Sequence, residues 1–147
     1  MDFASDNLIA RVLLTINTIG YSAIPVLADF NKTHATNPLW TPHARFHVVW
    51  QVMSYCGVAL IALWLIWSAG PPAKLWLAVA LAVAMYAAFF ATAFAMPRFG
   101  GGLADPNGVP PLGRVTLGGR PVVLDANMTV FSAQVLVLLI AALLIRG

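Results

Sequence analysis

The segment VALIALWLIWSAGPP (residues 58–72) runs from an uninterrupted apolar stretch directly into a Gly-Pro-Pro turn. A helix that crosses the roughly 30 Å hydrocarbon core of a bilayer needs about 20 apolar residues. The apolar character reaches back to residue 46, and a second apolar run begins at residue 73. Because proline cannot continue a helix, the segment predicts two membrane spans joined by a tight turn.

Two more apolar runs flank this pair, so that the predicted spans are residues 8–28, 46–68, 73–96 and 127–145. Of the 147 residues, 61% are hydrophobic and 9% are charged, whereas soluble domains average about 45–50% and about 25%. We therefore expect a single, multi-pass integral membrane domain over 1–147, built as an all-α four-helix bundle. The net charge of +3 is scattered along the chain, which argues against a nucleic-acid partner because such a partner requires a clustered basic face.

The two long loops, 29–45 and 97–126, must lie on the same side of a four-span protein. That side holds five basic residues and the other side three, so the positive-inside rule predicts that the long loops are cytoplasmic. The second loop is rich in Gly and Pro, and RVTLGGRPVVL (114–124) predicts a β-hairpin turning at Gly118-Gly119. We expect this loop to form a cap over the end of the bundle.

Polar residues within the spans lie mainly in the halves next to the long loops. They include Asn17, Gln51, Tyr55 and Tyr86. Polar groups are costly in hydrocarbon and usually face a bundle interior or a cavity. Their one-sided placement favours a polar-lined pocket for a small lipophilic substrate beneath the loops. The alternative is that these groups only form hydrogen bonds between helices.

All three histidines lie in NKTHATNPLWTPHARFHVVWQ (31–51), at the entrance to the second span. Pro42 is suited to the first position of a helix and Thr41 to its N-cap. In a helix that begins there, His43, His47 and Gln51 form one stripe at intervals of four residues.

Two interpretations of the histidines involve a cofactor. Paired imidazoles one turn apart, with a third from a loop, are typical of a metal site, here formed by His43, His47 and His34. Alternatively, a single imidazole is enough to bind haem, with His47 as the axial ligand and Arg45 as the partner of a propionate.

Three further interpretations need no enzyme cofactor. His43 and His47 could act as general acid and base with Asp29 or Asp125, in a cofactor-free isomerase or cyclase. Interfacial His and Arg could instead only anchor the helix at the lipid headgroups. The chain could also be a non-enzymatic metal-binding or transport-related membrane protein.

Short motifs through most of the chain resemble the styrene oxide isomerase family, small four-span membrane proteins that open epoxides to aldehydes. The motifs are IP (24–25), DF (29–30), Trp40, ARFH (44–47), Pro97, GGL (101–103) and PN (106–107). The resemblance implies haem b bound through His47, with ferric iron as the Lewis acid. It also implies a homotrimer with the haem near the subunit contacts.

The sequence departs from this family where the substrate is held. The family's substrate-binding Asn falls on Met53, so that Gln51 is the nearest amide, and the family's Tyr falls near Phe90, so that Tyr86 is the nearest tyrosine. We expect a membrane isomerase of a small lipophilic oxygenated molecule. Its candidate catalytic residues are Gln51, Tyr55, Tyr86, Asp29 and Asn17.

Overall fold

The computed structural model describes residues 7–103 and 110–146, and this part of the chain is mostly helical. Its elements in chain order are α1 (Leu8–Asp29), α2 (Pro42–Trp67), α3 (Ala73–Ala95), a 3-10 turn (Met96–Arg98), β1 (Gly113–Leu117), β2 (Arg120–Leu124) and α4 (Ala126–Leu143). The four α-helices are long and apolar enough to cross a membrane. The expectation of four long apolar helices is therefore confirmed. The PN motif at 106–107 lies outside the described residues.

Helix α2 begins where the sequence predicted, at Pro42. The Thr41 hydroxyl oxygen accepts a hydrogen bond from the Ala44 N–H at 3.2 Å, which caps the first turn. The helix ends at Trp67, and the turn that follows uses Gly70 at a φ of 146°, a conformation that favours glycine. Lys74 closes this turn, since its ammonium donates to the Ala69 carbonyl at 3.0 Å and lies 4.4 Å from the centre of the Trp64 ring.

The predicted β-hairpin is present between α3 and α4. Strands β1 and β2 pair in antiparallel register, with Val115 opposite Val122. Gly118 and Gly119 have φ values of 55° and 77°, as a two-residue turn of this kind requires. The hairpin leads into α4 through Asp125, whose carboxylate accepts the Met128 N–H at 2.9 Å and caps the helix. The side chains of both strands are largely exposed, which differs from a cap packed closely onto the helices.

Helix α1 packs against each of the other three helices. The core shared by the helices consists of small and aliphatic residues at the end remote from the long loops. At the end nearer to the long loops it consists of aromatic residues. Tyr86 makes edge-to-face contacts with Tyr21 and with Phe131, at ring-centre distances of 6.0 and 5.6 Å. At the other end, Asn7 joins the start of α1 to the end of α4 by accepting the Arg146 N–H at 2.7 Å.

Candidate functional site

Two histidines on the first turns of α2 form a close pair. The Nε2 atoms of His43 and His47 lie 3.0 Å apart, and the two rings are perpendicular with centres 4.5 Å apart. This contact follows from their spacing, because residues four apart in a helix stack along one face. Both imidazoles are exposed. One Nε2–H donates a hydrogen bond to the other Nε2, and which ring is the donor depends on the tautomers.

Two aromatic side chains of α2 lie against this pair. The Phe46 ring stacks on His43 at a centre distance of 6.4 Å and lies 5.8 Å from His47. The Trp50 ring is centred 5.9 Å from His47. Phe46, Val49 and Trp50 line a shallow apolar groove on the same helix. The imidazoles therefore sit beside a flat apolar surface.

One turn beyond the histidines, α2 carries a second polar pair. The Gln51 amide donates a hydrogen bond to the Tyr55 hydroxyl at 2.5 Å. Gln51 is exposed and Tyr55 is half-buried. We call His43, His47, Gln51 and Tyr55 together the α2 polar stripe. As the spacing predicted, these side chains follow one another along one face of α2.

The direction of the stripe differs from the sequence expectation. It was expected to face a pocket inside the bundle, but His43, His47 and Gln51 lie on the outer surface of the chain. The reason lies in the rest of α2, whose inward face is made of other residues, with Val52, Ala59 and Ala62 buried against the neighbouring helices. The outer surface beside the stripe would face lipid or another copy of the chain.

Asn17 and Tyr86 lie elsewhere, in the interior between helices. Asn17 is completely buried, and its amide donates to the Gln134 backbone carbonyl at 2.7 Å and to the Gln134 side-chain oxygen at 3.1 Å. The Tyr86 hydroxyl donates to the Asn17 backbone carbonyl at 2.8 Å. These bonds join α1 to α4 and α3 to α1. For these two residues the structure corresponds to the alternative in which polar groups bond helix to helix, and it does not bring them together with the α2 polar stripe.

Gly20 makes room for this interior network. A Cβ at residue 20 would lie 2.7 Å from Cδ and 2.8 Å from Nε2 of the Gln134 side chain. The Gln134 amide therefore packs against α1 at Gly20, the position that has no side chain. Gln134 is one of the polar residues in the half of the fourth span next to the long loops, but neither it nor Gly20 was predicted as a site residue. The available signal was an amide within the fourth span, which needs a polar partner in hydrocarbon.

The first loop holds His34 apart from the other histidines. His34 Nδ1 lies 3.7 Å from the Asp29 carboxylate and 2.6 Å from the Thr33 hydroxyl, and its ring packs edge-on against Trp40 at 5.2 Å. Buried Asn37 fixes the return of this loop, because its amide donates to the Thr33 carbonyl at 3.0 Å and its oxygen accepts the Leu39 N–H at 2.9 Å. Asp29 is thus placed with His34, away from the role expected beside the α2 histidines.

The proposed three-histidine metal site is not assembled in the described residues. Over 7–103 and 110–146, no group of three or more His, Cys, Asp or Glu side chains is arranged to hold a metal ion. The physical reason is the engagement of His34 by Asp29, Thr33 and Trp40. The metal-ligating groups that the structure does bring together are the two imidazoles of His43 and His47.

Arg45 follows His43 on the same turn but points off the stripe. It is half-buried, and its Nε is a buried atom with no hydrogen-bond partner in the part of the chain that the structure describes. Asp125 is occupied as the N-cap of α4, and Asp29 lies beside His34. Both carboxylates thus have partners other than Arg45, the basic side chain that lies between His43 and His47 in the sequence.

Most of the chain matches the model of one protein family. Residues 13–137 match the model described as "Family of unknown function (DUF6640)", and the chain belongs to this family. The chain matches no curated protein and no solved structure.

Proposed function

We propose that this member of the DUF6640 family is a membrane-embedded enzyme that rearranges a small lipophilic oxygenated molecule, in the manner of an epoxide isomerase. The α2 polar stripe is its site, with His47 as the ligand of a Lewis-acidic haem or metal ion. The single observation that carries the proposal is the exposed imidazole of His47, which lies beside an apolar groove with the His43 imidazole next to it.

The surroundings of His47 fit a haem b. Its imidazole is exposed, and the apolar groove of Phe46, Val49 and Trp50 offers a flat surface next to it. Arg45, two residues earlier, supplies a cation of the kind that pairs with a propionate. When bound, haem b supplies a ferric iron that polarises a substrate oxygen without a proton transfer. Binding through His47 requires that the Nε2 contact with His43 be given up.

The same pair could instead supply two ligands to a single metal ion. Nitrogen ligands bond zinc at about 2.0–2.1 Å, so two ligands of a tetrahedral site lie about 3.3–3.4 Å apart. The Nε2 separation of 3.0 Å is a few tenths of an ångström shorter, so the two rings would turn slightly apart to bind the ion. Two protein ligands leave coordination positions for a third ligand and for water or substrate. Haem and a metal ion are therefore the two forms of one proposal, and they are separable by spectroscopy.

Gln51 and Tyr55 would orient the substrate. Their side chains already share a hydrogen bond of 2.5 Å on the stripe, one turn beyond His47. An amide N–H and a phenol O–H can both donate to an oxygen that develops negative charge. The adjacent apolar groove would receive the hydrocarbon part of the substrate and keep water away from the reacting carbon. An isomerisation needs no second substrate.

A homo-oligomer would complete the site. Polar side chains on the outer surface of a membrane helix are costly when they face lipid tails. A second copy that packs on α2 would cover His43, His47 and Gln51 and form the missing wall of the site. The resemblance to the styrene oxide isomerases favours a trimer.

The same proposal places the long loops in the cytoplasm. Their side of the membrane has five basic residues and the other side has three, as the positive-inside rule requires.

The test is a visible spectrum and a metal analysis of the protein purified in mild detergent. We expect either a haem Soret band or a stoichiometric metal, and its loss in His47→Ala. His34→Ala is the matched control, since it removes an imidazole that lies outside the stripe. Turnover of lipophilic epoxides in membranes should fall together with the cofactor in His47→Ala and persist in His34→Ala.

A colourless protein without stoichiometric metal would reject the Lewis-acid proposal. The His43–His47 hydrogen bond favours one second candidate in that case, a cofactor-free isomerase in which the two imidazoles act as acid and base. That enzyme would turn over substrate without metal and would lose activity in both His43→Ala and His47→Ala. Failure to convert any epoxide would reject both enzymes.

A further inference from the structure

The two faces of the β-hairpin carry different numbers of large apolar side chains. Residues paired across antiparallel strands point to the same side of the sheet. The pairs Val115–Val122, Leu117–Arg120 and Gly113–Leu124 share one side, and the pairs Arg114–Val123 and Thr116–Pro121 share the other. The first side, which we call the apolar hairpin face, is therefore made of Val115, Leu117, Val122 and Leu124 with Arg120 at its tip.

This face is open. Leu117 is 63% exposed, and Val115 and Val122 are 36% and 37% exposed, while the opposite face has a single exposed large apolar side chain, Val123, at 52%. Residues 110–124 contain two arginines, Arg114 and Arg120, and no acidic residue. An isolated two-stranded hairpin is only marginally stable in water unless one of its faces is covered. The apolar hairpin face therefore needs a covering surface that can contact both its apolar side chains and the positive charge of Arg120.

The position of the hairpin limits what that cover can be. Only Asp125 separates β2 from α4, which is one of the membrane-spanning candidates. Five-residue strands extend about 17 Å, so the hairpin cannot reach far from the membrane surface. It cannot enter the hydrocarbon core either, because the outer edges of its two strands carry unpaired backbone groups. The headgroup layer satisfies both limits.

We propose that the hairpin is an interfacial element that binds anionic phospholipid headgroups. The apolar hairpin face rests at the boundary of the acyl chains, and Arg120 at its tip contacts lipid phosphates from that face. Arg114, on the opposite face, contacts phosphates from the water side of the headgroup layer. Lipid phosphates supply the negative charge that this segment lacks, and arginine binds phosphate in a bidentate manner. The element ties the start of α4 to the membrane surface on the side of the long loops.

The experiment measures the depth of single nitroxide labels on the full chain in nanodiscs. In a Cys56→Ser background, Leu117→Cys places a label on the apolar hairpin face and Thr116→Cys places one on the opposite face. The discs contain either phosphatidylcholine alone or phosphatidylcholine with phosphatidylglycerol. We expect the Leu117→Cys label to be accessible to oxygen and shielded from a water-soluble nickel chelate, and the Thr116→Cys label to show the reverse.

The charge dependence is tested in the same discs. Shielding of the Leu117→Cys label should increase with phosphatidylglycerol, and Arg114→Gln with Arg120→Gln should abolish that increase. Arg146→Gln, at the opposite end of α4, is the control that should preserve it. Equal access of both labels to the nickel chelate in every lipid would overturn the proposal. Spin–spin broadening between labels would overturn it as well, because it would assign the face to a second copy of the chain.

Discussion

At the scale of single residues, the polar side chains divide into two sets with different surroundings. Asn17 and Tyr86 are buried and form hydrogen bonds between helices, whereas His43, His47 and Gln51 lie exposed on α2. The spacing of the histidines predicted their contact correctly. It could not predict the face they occupy, because a helix that is apolar on all sides shows no pattern that separates its inner face from its lipid-facing one.

The hydrogen bond between Asn17 and Gln134 depends on the absence of a side chain at Gly20. In Gly20→Ala, the new Cβ would lie 2.7 Å from Gln134 Cδ and push the amide away from Asn17. We expect the free energy of unfolding to fall by about 0.5–1.5 kcal/mol, the usual contribution of such a hydrogen bond between membrane helices. The measurement is thermal or SDS unfolding in detergent followed by circular dichroism.

Gly57→Ala is the matched control for this prediction. Gly57 lies within α2, and a Cβ there meets no atom within 4 Å. Alanine at this residue should leave stability unchanged or raise it slightly, since alanine is the better helix former. If Gly20→Ala unfolds like Gly57→Ala, the Asn17–Gln134 hydrogen bond contributes nothing measurable.

At the scale of the elements, sequence signals with a local mechanism were reliable. Thr41-Pro42 marked the start of α2, and Gly118-Gly119 marked the hairpin turn, because capping and positive φ values are decided by a few adjacent residues. The exposure of the hairpin was not predictable in this way. It depends on whether β1 and β2 pack on the helices, which no local pattern records.

Asp125 is the single residue between the hairpin and α4, and its cap is a testable contribution. Asp125→Ala removes the acceptor of the Met128 N–H and the negative charge at the start of the helix. We expect a loss of about 0.5–2 kcal/mol in unfolding free energy, measured by the same method. Asp125→Asn retains a capping oxygen and should lose distinctly less. Equal losses in the two variants would mean that the charge, and not the hydrogen bond, stabilises the helix.

At the scale of the whole molecule, length and composition were sufficient to predict four long apolar helices. They did not predict which side chains would meet between helices. In a soluble protein the polar face of each helix reveals the outside, but lipid is as apolar as the core and removes that signal. The way the helices face one another is therefore visible only from contacts in the structure, such as Asn17–Gln134 and Tyr86–Asn17.

The exposed α2 polar stripe carries a prediction about assembly. Ser54 lies on the same side of α2 as His47 and is exposed, so a second copy that covers the stripe would pack against it. Ser54→Trp introduces a bulky side chain into that contact, and overpacking of this kind disrupts a close interface. We expect the wild-type chain in detergent to have a mass that is a multiple of 15.7 kDa. We expect Ser54→Trp to shift it toward the single-chain mass, measured by light scattering after size exclusion.

Leu139→Trp provides the comparison, because Leu139 is 55% exposed on α4 and lies on a different helix from the stripe. Tryptophan is enriched near the ends of membrane helices, at the membrane–water interface, and Leu139 lies close to the end of α4, so this variant should keep the wild-type mass. The assembled site also links mass to chemistry: the Ser54→Trp protein should lose its cofactor along with its partners if the neighbouring copy encloses His47. A wild-type chain of single mass that nevertheless retains the cofactor would show that the stripe forms a complete site on its own, and lipid or the chain's own loops would then have to cover the exposed imidazoles.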